Sequence, residues 1–388
     1  MNQGKMIFSQ LMEFGSFHVF KYCVSRYNGD YKVKKFTCWK QFLCMAFGQL
    51  THRESMSDTT LCLNLHSNKL YHLGIGKTFD KSTLSRANET RDWRIFRDFA
   101  LKLIEQAKSL YANENQLDLK LKGGIYALDA TVVDLCLNVF WWASFRTTKG
   151  AIKINTLLDL KTSIPEYILI TEGSIHEVNT LDYIEIPSGS YLVMDKGYID
   201  FARLWKLAQD RVTFVIRTKE NMDYKVIQRR PTDRTKGIRC DQTIRLTGLF
   251  TSKKYPKPLR RIRYFDKETG NSLVFITINF KLSSLTVASL YRYRWGIETF
   301  FKWIKQHLKI LSFWGQSENA VKTQIWIAIS TYVIVLIAKK KLKLSQTPYE
   351  ILQMTSLSVF ERTPLKELFS EEKYQEIKEP FYNQLKLF

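Results

Sequence analysis

The chain has 388 residues, of which 45% are hydrophobic and 14% aromatic, with only 17 Gly and 8 Pro. This composition excludes a disordered protein, and the length allows two to three domains with a sizeable core. The formal net charge is +22 at pH 7. Such a surface carries a positive field that favours polyanions, nucleic acid first and an anionic membrane second.

Membrane, exported and zinc-binding classes of protein have little support. The longest apolar run, residues 325–338, is shorter than the roughly 20 residues that a spanning helix needs, so it predicts a buried core helix. No charged-then-apolar segment opens the chain, and export is not expected. The six cysteines include no CxxC pair and the six histidines no HExxH motif. We therefore expect reduced thiols in a cytoplasmic protein, without a zinc site.

The first part of the chain, residues 1–112, predicts a helical N-terminal domain. Helical periodicity is clear in "FTCWKQFLCMAFGQL" and in "DWRIFRDFALKLIEQAKSLY". Between them, Asp80 or Ser82 is placed to cap a helix that a short turn separates from the next one. A helix-turn-helix reader of DNA and a plain helical hairpin fit this pattern equally well. Residues 113–123 read as a linker.

The middle of the chain changes to short β-rich segments bounded by turns. Only the fourth and fifth of these flank a clear helix, "IDFARLWKLAQ". That order predicts an α/β sheet that opens with antiparallel strands and adds parallel ones later. The five predicted strands cover residues 124–135, 150–160, 166–173, 190–195 and 211–218.

A basic β-rich insertion interrupts the predicted core, 124–343, at about residues 217–280. Residues 217–267 hold 16 Lys or Arg against 5 Asp or Glu, which is half of the net charge. Helices are expected from about 284 to 343. Residues 344–388 form a mildly acidic C-terminal tail.

Two aspartates occupy unusual places in the predicted strands. Asp129 lies inside the first strand, in "YALDATVV", where a charge is costly unless it is paired or bound to metal. Asp195 closes the fourth strand, in "YLVMDKGY", and strand ends are where α/β sheets expose functional side chains. Neighbouring strands would bring the two carboxylates to one edge. Each aspartate alone also fits a cap or turn former.

A third acid lies in the stretch "YRYRWGIETFFKWIKQ", residues 291–306, which predicts one amphipathic helix. On a helical wheel Tyr291, Arg294, Glu298 and Lys305 fall within an arc of about 60°. A surface salt-bridge ladder is the alternative interpretation of this row. The neighbouring sector, expected to face the core, contains Ile297, Phe300, Phe301, Ile304 and Leu308.

Three carboxylates without His or Cys favour hard cations such as Mg²⁺ or Mn²⁺. A helix packed across the sheet edge could present Glu298 to Asp129 and Asp195. Two ions about 3.5–4 Å apart can then clamp the attacking and leaving oxygens of a phosphodiester. Arg294 and Lys305 are expected to hold neighbouring DNA phosphates.

The spacing Tyr291-x2-Arg294-x3-Glu298-x6-Lys305 resembles the Y-R-E-K signature of DDE transposases from bacterial insertion sequences, in the group named for insertion sequence four. "LDAT" at 128–131 and "MDKGYID" at 194–200 resemble the first-Asp and second-Asp motifs of that family. Family members often have His where Asn155 stands here. The N-terminal region resembles a helical domain often fused to such cores.

The resemblance implies an RNase H-like mixed-sheet core with a β-rich insertion, preceded by a helical N-terminal domain. It implies a transposase whose ligands Asp129, Asp195 and Glu298 hold two Mg²⁺ or Mn²⁺ ions, with Tyr291, Arg294 and Lys305 binding DNA. The expected partners are the element's terminal inverted repeats, target DNA and a second copy in a homodimer, without a membrane and near the bacterial nucleoid. A silent DNA-binding protein derived from a transposase and a metal-dependent nuclease on the same fold remain alternatives.

Overall fold

The structure is a computed structural model that describes residues 4–135, 140, 142–146, 149–218, 222–307 and 313–369. Leu308 of the predicted apolar face and residues 370–388 of the predicted tail lie outside these ranges.

The N-terminal region is helical, as the sequence predicts. A three-residue turn separates the fifth helix from the sixth, and Asp80 stands at the N-cap position of the fifth without a side-chain capping bond. The apolar stripe of the sixth helix, with Ile95, Phe96 and Phe99, is fully buried. The helices are α1 (Ile7–Met12), α2 (Phe17–Arg26), α3 (Cys38–Leu50), α4 (Met56–Leu65), α5 (Lys81–Thr90) and α6 (Arg94–Tyr111).

A mixed sheet of ten described strands follows. The strands are β1 (Ile125–Leu135), β2 (Ser144–Arg146), β3 (Lys149–Asp159), β4 (Ile164–Glu172), β5 (Tyr191–Met194), β6 (Thr213–Arg217), β7 (Tyr224–Arg229), β8 (Ile238–Leu246), β9 (Leu259–Phe265) and β10 (Ser272–Thr277). Two helices lie between them, α7 (Phe201–Gln209) and α8 (Thr251–Lys254).

The strand order is β2-β3-β1-β5-β6-β10-β9-β8-β7, with β4 also paired to β3. The β1, β3 and β4 pairings are antiparallel, whereas β1, β5 and β6 are parallel. This order confirms the prediction of antiparallel strands first and parallel ones later. A mixed sheet with helices on both faces is the RNase H-like architecture that the sequence indicated.

The basic insertion extends this sheet, because β10 pairs antiparallel with β6, Ile276 opposite Ile216. Some arginines of the insertion form ion pairs inside the protein. Arg260 is 3% exposed and donates through Nε to Asp241 Oδ1 at 2.9 Å. Arg230 reaches the same oxygen at 3.2 Å. The insertion therefore places fewer positive charges at the surface than its number of Lys and Arg residues suggests.

The remaining helices are α9 (Ser284–Arg292), α10 (Trp295–His307), α11 (Glu318–Leu342), α12 (Pro348–Ser358) and α13 (Leu365–Leu368). Among the described residues, α11 alone is long and apolar enough to cross a membrane, and 94% of its most apolar window is buried inside the protein. It packs against α6, where Tyr111 donates to the Leu336 carbonyl at 2.9 Å. The predicted core helix is confirmed.

Candidate active site

The two aspartates meet at the carboxyl ends of neighbouring parallel strands. In the β1–β5 pairing Leu128 lies opposite Met194, and Asp129 and Asp195 are the next residue on each strand. Asp129 is fixed locally, because its Oδ1 accepts the Ala130 N–H at 2.9 Å. The sheet thus brings both carboxylates to one edge, as the sequence predicts.

Arg294 connects this edge to the third acid. Its Nη1 donates to Asp129 Oδ2 at 2.9 Å and its Nη2 to Glu298 Oε1 at 2.6 Å. The side chains of Arg294 and Asp129 are 12% and 17% exposed, so their bond is shielded from solvent, whereas Glu298 is 40% exposed. Glu298 therefore stands beside the aspartates with a guanidinium between it and Asp129.

The stretch 291–306 is not one helix, and that prediction is wrong. Helix α9 ends at Arg292 and α10 begins at Trp295. Between them the backbone forms hydrogen bonds between residues three apart, as in a 3-10 helix. The Arg294 N–H donates to the Tyr291 carbonyl and the Ile297 N–H to the Arg294 carbonyl, both at 3.0 Å. The predicted buried face is confirmed at Ile297, Phe300, Phe301 and Ile304.

Tyr291 lies inside the protein, and its role in DNA binding stays a prediction. It is 5% exposed, and its ring packs on Phe275 with centroids 4.7 Å apart. Its hydroxyl donates to Asp195 Oδ1 at 3.1 Å. Burial raises the pKa of Tyr291 to about 12, so the hydroxyl keeps its proton and orients the carboxylate.

Lys305 also makes a protein contact, since its Nζ donates to the Val132 carbonyl of β1 at 2.6 Å. Burial lowers the pKa of Lys305, and the charge of Asp134 opposes that effect. This bond uses one of the three N–H donors of the ammonium and leaves two for a phosphate. The role of Lys305 in DNA binding stays a prediction.

The electrostatics of the edge are dominated by buried negative charge. Burial raises the pKa of Asp129 to about 6, although the Ala130 N–H and Arg294 act in the opposite direction. The charges of Glu177 and Asp195 raise it further. A cation at this edge would relieve the repulsion.

Glu177 and Tyr198 were not identified from the sequence. A Cβ on Gly197, two residues after Asp195, would lie 3.3 Å from Glu177 Oε2. The Tyr198 side chain is fully buried, and its hydroxyl has no hydrogen-bond partner among the described residues. Glu177 follows a turn in a polar segment without periodicity, so no sequence pattern marked it.

The donor set fits a hard divalent cation in kind, because it consists of carboxylate oxygens. Within the described ranges, however, no three His, Cys, Asp or Glu side chains are grouped closely enough to hold a metal. Glu298 is kept apart from Asp129 because the Arg294 guanidinium occupies the space between the two carboxylates.

Comparison with known proteins decides the family. Residues 120–334, more than half of the chain, match the family model of the transposase DDE domain. The chain belongs to the DDE transposase family. It is thus a DNA transposase, in a family whose members generally depend on a divalent metal. Residues 3–76 of the transposase match a domain of unknown function.

Curated relatives agree with this assignment. The transposase is 31% identical over 286 residues to a putative transposase, y4zB, of Sinorhizobium fredii, which covers 72% of this chain and 77% of the relative. It is 28% identical to a putative transposase for insertion sequence element IS4SA of Synechocystis, over 67% and 72% of the two chains. It is 25% identical to a probable transposase for element IS5377 of Geobacillus stearothermophilus, over 66% of each.

Proposed function

We propose that this transposase cleaves DNA at the ends of its insertion sequence and joins the 3′ ends to target DNA, moving the element by cut and paste. Asp129, Asp195 and Glu298 are the proposed catalytic residues. The observation that carries the proposal is the placement of Asp129 and Asp195 at the ends of adjacent parallel strands, with Glu298 linked to them through Arg294.

The proposed cofactor is a pair of Mg²⁺ or Mn²⁺ ions held by the three carboxylates. When bound, such a pair stabilises the attacking and leaving oxygens of the phosphodiester. Arg294 holds Oε1 of Glu298, and release of this bond would leave the whole carboxylate to a cation. The freed guanidinium then has two donor edges for a DNA phosphate. We infer that Arg294 passes from the carboxylates to the DNA as the complex forms.

The insertion is placed to hold DNA beside this edge. A cleft of about 760 Å³ is lined by Asp195 together with Phe250 and Thr251 of the insertion. Thr251 begins α8, whose Lys253 and Lys254 are exposed. Phosphate contacts from such lysines give salt-dependent affinity without sequence specificity.

Recognition of the terminal inverted repeats is assigned to the N-terminal helical domain, residues 1–112. Helix α5 supports this, because it exposes Lys81, Ser82 and Arg86 on its solvent side, and side chains of these types contact phosphates and base edges. Since two element ends must be held together, we propose a homodimer as the active assembly. Its partners are DNA at the bacterial nucleoid in the cytoplasm, with no membrane.

A strand-transfer assay tests the proposal. Labelled element-end DNA, target DNA and Mg²⁺ should yield 3′ ends joined covalently to the target. Cleavage without joining would favour a metal-dependent nuclease on the same fold. Binding without cleavage would favour a silent DNA-binding protein, and either result contradicts the proposed reaction.

A further inference from the structure

Glu177 approaches the catalytic edge from the face of the sheet opposite Glu298. It begins a short 3-10 helix, Glu177–Asp182, in which Leu181 packs in the same apolar cluster as Leu128 and Tyr198. Helix α10 instead packs through Ile297 in a second apolar cluster, which contains residues from the opposite face of β1. Because successive strand residues point to opposite faces, the two glutamates flank Asp129 from two sides.

The segment that carries Glu177 is anchored at both ends. Lys153 of β3 is 8% exposed, and its Nζ donates to the Ile175 carbonyl at 2.7 Å. Arg203 of α7 donates to Asn179 Oδ1 at 3.1 Å and to Asp182 Oδ1 at 2.9 Å. Burying a lysine side chain is unfavourable unless its charge is compensated, so its bond to this loop indicates that the position of the turn matters.

The carboxylate of Glu177 is not used to hold the fold together. In the part of the chain that the structure describes, it forms no ion pair or side-chain hydrogen bond. Its Oε2 is directed at Gly197, where a Cβ would come within 3.3 Å. Glycine at position 197 therefore lets the acid approach the backbone that follows Asp195.

Tyr198 provides a second, independent observation. Its side chain is fully buried, yet its hydroxyl has no partner among the described residues. The charges that act on it come from Asp129, Glu177, Asp195 and Arg294, so the hydroxyl faces the acidic edge. A buried hydroxyl without a partner is unfavourable, and this arrangement suits a polar ligand at that edge.

We propose that Glu177 is a fourth acidic residue of the site, which holds a hydrated divalent cation beside Asp129 and Asp195 with the help of the Tyr198 hydroxyl. The acids are not close enough for three of them to ligate one ion directly. Mg²⁺ usually keeps several waters and binds through one or two carboxylates, and surrounding carboxylates hold those waters. Glu177 is thus a positioning residue, and the inference rests on the metal site of the proposed function.

This proposal predicts which glutamate contributes to cation binding before DNA is bound. Without DNA, Arg294 occupies Glu298 and Asp129, so Glu298 contributes little to the first cation. Glu177 has no such competitor. Cation affinity of the DNA-free protein should therefore depend more on Glu177 than on Glu298.

Mn²⁺ binding to the full-length DNA-free protein, measured from the paramagnetic resonance signal of free Mn²⁺, tests this order. Glu177→Gln should weaken binding about tenfold, in the range found for residues around metal ligands. Tyr198→Phe, which keeps the ring, should weaken it several-fold, and Glu298→Gln should change it less than Glu177→Gln. The control is Glu172→Gln, which removes an exposed carboxylate at the end of β4 and should bind as wild type.

Different results would contradict the role of Glu177 and the proposed metal site. Wild-type affinity in both Glu177→Gln and Tyr198→Phe overturns the inference, as does an equal loss in Glu172→Gln. Absence of Mn²⁺ binding by the wild-type protein, or unchanged binding by Asp195→Asn, contradicts the proposed metal site itself. Circular dichroism of each variant without metal checks that it is folded.

Discussion

Arg294 donates a 2.9 Å hydrogen bond to Asp129, a residue 165 positions earlier in the chain. This bond joins the helical segment that carries Glu298 to the strand that carries the first aspartate. Arg294 lies at the break between α9, which ends at Arg292, and α10, which begins at Trp295. The same guanidinium therefore organises the acids and neutralises part of their charge.

Replacement of Asp129, Asp195 or Glu298 by Ala should abolish cleavage of element-end DNA while leaving DNA binding largely intact. The reason is that these acids are the proposed ligands of the cation and should contribute little to duplex affinity. Cleavage and gel-shift assays on the same preparations check this. Substantial Mg²⁺-dependent cleavage by one of the variants removes that residue from the site.

Arg294→Ala should lower the metal-free unfolding free energy by about 3 kcal/mol, because it leaves the largely buried Asp129 carboxylate unpaired. Saturating Mn²⁺ should restore part of this loss by supplying the missing positive charge. Arg294→Lys should fold better but still cleave slowly, since an ammonium cannot make the two-point contact. Thermal melting and single-turnover cleavage of pre-bound DNA measure the two effects. Normal cleavage by Arg294→Lys contradicts this account.

Tyr291→Phe removes only the hydroxyl that orients Asp195. We expect a stability loss of about 1–2 kcal/mol, slower cleavage, and unchanged affinity for DNA. The gel shift is the decisive measurement, because a residue in contact with DNA would lose affinity. A clear drop in DNA affinity restores the interpretation of Tyr291 as a DNA-binding residue.

The raised pKa of Asp129 predicts a pH-dependent stability. Its folded-state pKa of about 6 lies above the ordinary value, so folding favours the protonated acid. The stabilising contribution is complete below about pH 4 and is lost as the pH rises through 6. Relative to Asp129→Asn, the metal-free wild type should thus lose about 2–3 kcal/mol between pH 4 and 8. Denaturant unfolding in chelator across this range measures it, and a constant difference contradicts the shift.

Lys253→Ala with Lys254→Ala should weaken DNA binding and flatten its salt dependence. Each lost phosphate contact lowers the logarithmic slope by about 0.9. The matched control changes Lys343 and Lys366, two exposed lysines in the C-terminal region, and should leave the slope unchanged. The measurement is affinity over a salt series. Equal slopes in both double variants place the charge of α8 away from DNA.

The sheet was predictable because its strands carry strong local patterns. Predicted strand 190–195 and observed β5, Tyr191–Met194, differ by one residue at each end, and Asp129 and Asp195 followed from their places in such strands. The order of strands in the sheet was predictable only in part, since pairing depends on contacts distant in sequence.

The details of the acidic edge could not be predicted. A helical wheel assumes unbroken geometry, so it missed the break at Arg294 and gave no sign of the hydrogen bond between Tyr291 and Asp195. Glu177 and Tyr198 gave no periodic signal, because their positions depend on the packing of the turn that Lys153 anchors.

The packing of α11 against α6 has a consequence for how the chain folds during translation. Tyr111 and Leu336 are bonded across 225 positions, so the apolar stripe of α6 has no α11 to cover it until most of the protein has been made. Such distant contacts slow folding, and exposed apolar surface favours aggregation meanwhile. A ribosome-bound N-terminal segment therefore depends on the last third of the polypeptide to complete its core.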